Sequence, residues 1–123
     1  MTREETARAL EARAREAADN GLYQVSMEHY LVAADLRDEL GAPLLADRNR
    51  EAAILMTVTD WATDRWRDRV RWFNIRPVPS RGGGRSHRRF RIMLTDDEGL
   101  YDERVEVRVD RRGHVTVLEQ VRE

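Results

Sequence analysis

Apolar positions recur with one period up to about residue 73 and with another after residue 87. The change divides the chain into a helical region and a β region. Thr2 followed by Glu5 has the spacing of a capping box. Ala7, Leu10, Ala14, Ala17 and Ala18 then form a small-residue stripe at helical spacing, and Asn20-Gly21 is a stop signal. A first helix is predicted over residues 3–19, packed closely through its alanines. A second is predicted from Leu22 to Leu40. Leu22, Val25, His29, Ala33, Leu36 and Leu40 make one stripe. Tyr23, Met27, Tyr30 and Ala34 make another, about 100° away. Two apolar stripes predict two packing partners, hence the middle helix of a three-helix bundle. Gly41-Ala42-Pro43 ends it and opens a third helix with Pro near its first position. That helix is predicted from Pro43 or Asp47 to Phe73, about 40 Å at 1.5 Å per residue. Leu44, Leu55, Ala62, Trp66 and Phe73 lie on one face and Ile54, Val58, Trp61 and Trp72 on an adjacent one. It is expected to be the spine that joins the bundle to the sheet.

Residues 74–86 break both periods. Two prolines and three consecutive glycines predict an irregular linker loop. Strict alternation follows. Phe90, Ile92 and Leu94 alternate with Arg89, Arg91 and Met93. Val105, Val107 and Val109 alternate with Arg104, Glu106 and Arg108, and Val115 and Val117 complete the set. Three half-buried antiparallel strands are predicted. A three-residue loop Arg111-Arg112-Gly113 sets Val109 opposite Val115 and Val107 opposite Val117, on one face. A two-residue turn at Gly99-Leu100 sets Leu94 opposite Val105 and Ile92 opposite Val107, on the same face. The expected fold is therefore α+β: an N-terminal three-helix bundle with a long third helix, then a three-stranded β-meander. It is read as a single domain over 1–123, with a helical region over residues 1–73, a linker over 74–86 and a meander over 87–121.

Composition narrows the chemistry. With 123 residues and no cysteine, disulfides, thiolate nucleophiles and cysteine-ligated zinc are excluded. No apolar stretch has signal-peptide or membrane-span length, so a cytoplasmic, non-membrane protein is expected. The net charge of −1 hides a pattern. Residues 1–64 carry 7 Arg against 13 acids, residues 65–91 carry 10 Arg against 1 acid, and residues 92–123 carry 5 Arg against 9 acids. Every basic residue other than histidine is arginine, the cation suited to bidentate contact with phosphates. Acidic helices beside a basic middle could also drive head-to-tail homo-oligomers.

The basic segment is the candidate site. Arg65, Arg69, Trp72, Arg76, Arg81, Arg85, His87, Arg88, Arg89 and Arg91 combine cations with an aromatic ring, as nucleic acid or another polyanion requires. Ordinary solvated arginines paired with the acidic helices would look the same in sequence. The acidic turn Asp96-Asp97-Glu98, with Asp102 and Glu103, lacks the alternation of a calcium loop. In the predicted register Asp97 faces Asp102 and Asp96 faces Glu103. His29, His87 and His114 are scattered, and no nucleophile-elbow, phosphate-loop, dinucleotide or zinc-protease motif occurs. A non-enzymatic protein without cofactor or metal is expected.

Gly21, Tyr23, Ser26, Met27, Tyr30 and Ala33 follow the order glycine, aromatic, small, large apolar, aromatic, alanine. Residues 10–40 thereby resemble a tetratricopeptide-repeat-like helix pair, with Ser26 where the pattern has alanine. The resemblance implies an antiparallel helical hairpin that can bind protein. The leading expectation is thus a small adaptor or regulatory module that binds a protein partner. The alternative is a nucleic-acid-binding protein that uses residues 65–91.

Overall fold

The structure, a computed structural model, describes residues 1–66, 73–78, 88–95, 101–110 and 112–122. Three helices precede one antiparallel sheet: α1 (Arg3–Asp19), α2 (Tyr23–Glu39), α3 (Pro43–Trp66), β1 (Phe73–Val78), β2 (Arg88–Thr95), β3 (Tyr101–Val109) and β4 (Val115–Arg122). The class is α+β, as expected, but the sheet has four strands in the order β1-β2-β3-β4 rather than three. Residues form two compact units, Met1–Asp60 and Trp61–Glu123, and α3 belongs to both.

Local signals set the helix ends. Thr2 Oγ1 accepts from the Glu5 N–H at 3.1 Å, the cap that its spacing predicts. Both glycine stops are Schellman turns. Gly21 and Gly41 have φ of 75° and 72°, and the residues after them, Leu22 and Ala42, donate to Ala17 O and Arg37 O, each at 2.8 Å.

Within the first unit the interior is built from small side chains. Ala7, Ala14, Ala33, Ala34 and Ala46 are fully buried, and the Ser26 hydroxyl donates to Ala14 O at 2.7 Å. A hydroxyl at this position gains a hydrogen bond across α1 and α2 that alanine could not make. Alanine at such sites leaves no room for branching, so Ala33→Leu is expected to lower stability by about 1–3 kcal/mol. Urea denaturation measures the difference, and a neutral result would mean the helices separate easily.

A partly buried network of ion pairs and hydrogen bonds joins all three helices. The Arg37 guanidinium donates through Nη1 to Glu4 at 2.8 Å and through Nη2 and Nε to Glu11 at 2.7 and 3.1 Å. Asn49 Nδ2 donates to the same Glu11 at 2.7 Å. Arg37 and Asn49 are buried. Arg37 and then Asn49 hold the Glu11 carboxyl below its ordinary pKa, against the opposing effect of burial. On the outer side, Arg50 pairs with Asp38, and Thr57 Oγ1 donates to Met27 Sδ at 3.1 Å.

Several expectations are corrected here. Phe73 opens β1 instead of ending α3, whose regular turns run Pro43–Trp66. The predicted linker 74–86 begins as a strand: Asn74–Val78 belong to β1 and pair with β2, while residues 79–86 lie outside the described residues. Pro77 argued for a loop, yet proline is tolerated on an edge strand, and β1 is one. Leu44, predicted on a packing face of α3, is 77% exposed; the buried positions are Ala46, Asn49, Ala53, Val58, Ala62 and Trp66. Of the predicted stripe along α2, Leu22, Val25 and Leu40 are exposed, His29 and Leu36 are half-buried, and Ala33 is buried.

In the sheet, Val109 pairs with Val115 and Val107 with Val117, as predicted, and Gly113 has φ of 80°. The β2–β3 register differs by two residues: Ile92 faces Val105 and Phe90 faces Val107. Leu94 therefore takes the place opposite Glu103 that was expected for Asp96. Asp96, Asp97 and the turn at Gly99-Leu100 lie outside the described residues. A shift of two keeps every side chain on its face, because strand side chains alternate with period two. Phe90, Ile92, Leu94, Val105, Val107 and Val109 are buried accordingly.

Candidate nucleic-acid interface

The face of the sheet opposite the valines can be read off the register. Side chains at directly paired positions share a face. One row across the four strands is Val78, Arg89, Arg108 and Thr116. The next is Arg76, Arg91, Glu106 and Glu119, and the third is Asn74, Met93, Arg104 and Val121. Strand and residue spacings make the patch about 14 Å on a side. Five arginines and two glutamates leave it with an excess of three positive charges.

Two pairs of arginines are directly opposed, Arg76 with Arg91 and Arg89 with Arg108. Like charges at facing positions cost stability, by roughly 0.2–1 kcal/mol each. Glu106 offsets some of this. Arg91 donates to its Oε1 through Nη2 at 3.0 Å and Nε at 3.3 Å, and Arg89 donates to its Oε2 at 3.0 Å. The Arg91 hydrogen bond, with further attraction from Arg91 and Arg89, holds the Glu106 carboxyl below its ordinary pKa. Glu106 is nearly covered, whereas Arg89 and Arg91 remain 46% and 44% exposed. Arg76, Arg104 and Arg108 have no acidic partner among the described residues. Within that set their guanidinium groups are the free cations of the patch.

Of the predicted site residues, the structure therefore brings together Arg76, Arg89 and Arg91. Arg65 lies on α3, in the same compact unit, with its guanidinium 5.2 Å from the Trp61 ring centroid and 5.4 Å from that of Trp66. The two rings meet edge to face at 5.4 Å. The exposed Arg65 guanidinium thus lies over both aromatic rings. Arg88 contributes its backbone to β2, and Arg69, Trp72, Arg81, Arg85 and His87 lie outside the described residues. Arg104 and Arg108 were missed. The signal was present: both alternate with Val105, Val107 and Val109 in β3, which places them opposite the valines. They stand outside the contiguous basic run of residues 65–91.

Other candidate chemistry is sparse. His114 Nδ1 stands 3.7 Å from Asp110, whose Oδ1 accepts from the His114 and Arg112 N–H groups at 2.9 Å and so braces the β3–β4 turn. These contacts, His114 first, hold the Asp110 carboxyl below its usual range. His29 is half-buried on α2. Among the described residues no three acids or histidines gather as metal ligands, and no helix is long and apolar enough to cross a membrane. No protein-family model, curated protein or solved structure matches the chain.

Proposed function

We propose that the chain is a non-enzymatic binding module whose sheet grips the phosphate backbone of duplex nucleic acid. The observation that carries this reading is the pair of arginine–arginine oppositions on one open face, Arg76 with Arg91 and Arg89 with Arg108. A surface that tolerates this repulsion gains most when an anion with repeated charges lies across it. Arginine presents a planar fork that matches phosphate oxygens. A patch of about 14 Å spans roughly four base-pair steps at 3.4 Å each, so three to five phosphate contacts are within reach. No aromatic side chain occupies the three rows, so the face offers no platform for stacking unpaired bases. Duplex is favoured over single strands, and contacts to phosphates carry no sequence information.

A titration of generic duplex and single-stranded oligonucleotides by fluorescence anisotropy tests this. With three to five contacts the log–log salt slope for duplex is expected between about −2.7 and −4.5. Absence of binding at low salt with about 100 µM protein, the weak end of ordinary non-specific affinity, would end the proposal. A second reading, a module that binds a protein partner through its tetratricopeptide-like hairpin, is favoured by the exposed apolar side chains Leu22, Val25, Leu31, Val32 and Leu40 on and beside α2.

A further inference from the structure

Glu106 sits where an anion would be held. Arg89 and Arg91 are two residues apart on β2, so both project from one face of the sheet. Their guanidinium groups converge on the Glu106 carboxylate of the neighbouring strand. Arg91 donates two N–H groups to Oε1 and Arg89 donates one to Oε2, at 3.0–3.3 Å. Arginines hold the two free oxygens of a phosphodiester in the same way. The carboxylate is nearly covered, yet both arginines keep almost half of their side-chain surface open, so an incoming anion can reach them from solvent.

Charge around this fork favours exchange. It holds two positive charges against one negative, and Arg76 and Arg108 stand directly opposite Arg91 and Arg89. Glu119 on β4 stands directly opposite Glu106, so the carboxylate itself faces a like charge. Ion pairs with a partner this open add little to folding. The stronger effect of Glu106 is to occupy two cations that a phosphate would otherwise take.

We infer that the fork of Arg89 and Arg91 is a phosphate site, occupied in the free chain by the Glu106 carboxylate, which a phosphodiester of the bound strand displaces. The inference rests on the nucleic-acid reading and adds to it one contact and the group that competes for it. This competition favours ligands with many phosphates. A lone phosphate has to expel Glu106 with its own charge alone. Along a nucleic acid, neighbouring phosphates on Arg76, Arg104 and Arg108 hold the strand in place while the exchange occurs.

The test compares Glu106→Ala with Glu119→Ala in the whole chain. The second removes the same charge from the same face and leaves the contacts of Glu106 in place. Each is titrated calorimetrically with inorganic phosphate, at constant ionic strength in chloride. Glu106→Ala is expected to bind phosphate at least about tenfold tighter than the native chain or Glu119→Ala, the factor that a hydrogen bond to a charged group supplies. Adding Arg89→Ala and Arg91→Ala to Glu106→Ala should abolish the gain. If Glu106→Ala does not fold, Glu106→Gln against Glu119→Gln decides with side chains of native size. Equal phosphate affinity in the folded Glu106 and Glu119 variants overturns the inference, because the effect is then one of net charge. So does a gain that survives the loss of both arginines. Duplex oligonucleotide is titrated alongside. A phosphate gain in Glu106→Ala with no duplex binding by any variant upholds the fork and ends the nucleic-acid reading. Duplex binding without the phosphate gain does the reverse.

Discussion

Glu11→Ala is expected to cost about 3–5 kcal/mol of folding stability, the range seen when one partner of a buried ion pair is removed. Glu11 accepts two hydrogen bonds from Arg37 and one from Asn49, and both donors are buried. The substitution leaves the guanidinium with Glu4 as its remaining carboxylate and the Asn49 amide without its acceptor. Whole domains are stable by only about 5–15 kcal/mol, so the variant stands near the edge of unfolding. Chemical denaturation measures the loss, and a change under about 1 kcal/mol would show that the network is not a structural tie. Removing both charges separates interaction from desolvation: Glu11→Leu with Arg37→Met should recover much of the loss, because a well-packed apolar pair needs no compensation. The same network predicts an acid limb. Since its partners lower the pKa of Glu11, the folded chain holds that proton less tightly than the unfolded chain. The stabilisation is complete above the ordinary glutamate value, about 4.3, and is lost as pH falls below it through the folded-state value. The alanine variant should show a shallower dependence in that window.

Substituting Arg76, Arg104 and Arg108 together by alanine is expected to weaken duplex binding about 500-fold at 0.1 M salt. Each phosphate contact contributes a slope of about −0.9, so it adds about eightfold at this concentration relative to 1 M. Losing three should also flatten the slope by about 2.7. The three lie on the open face without acidic partners among the described residues, so the fold should persist. An unchanged slope in a folded variant would place the contact elsewhere. Glu106→Gln acts in the opposite direction. It releases Arg89 and Arg91 from their shared carboxylate and removes a negative charge from the patch. Tighter binding with a steeper slope is expected, whereas a purely structural role for Glu106 would lower stability and leave the slope alone.

Such a face is only partly legible from alternation. Arginines at 89, 91, 104 and 108 alternate with buried apolar residues, so one strand period suffices to place them together once two strands are known to pair. Arg76 could not be placed that way. Its strand, Asn-Ile-Arg-Pro-Val after Phe73, is short and contains a proline, and an edge strand owes its existence to the one neighbour that supplies all its ladder hydrogen bonds.

What the sequence determined by itself was everything set by near neighbours. Thr2, Gly21 and Gly41 set helix boundaries because caps and left-handed stops act within a turn. Alternating valines set the faces of β3 and β4, and Gly113 set the turn that pairs them. Tertiary structure decided the rest. The pairing of β2 with β3, with its irregularity between Leu94 and Thr95, chose a register to which period-two patterning is blind in steps of two. Arg37 met Glu11 across 26 residues and Asn49 met it across 38, distances over which no local spacing signals a contact. Finally, the periodicity of α2 put Leu22, Val25, Ala33 and Leu40 on one apolar stripe, but only the packed helices could show that Ala33 is buried while Leu22, Val25 and Leu40 stay exposed. Amphipathicity records that a face avoids water, and the partner that removes the water need not belong to the same chain.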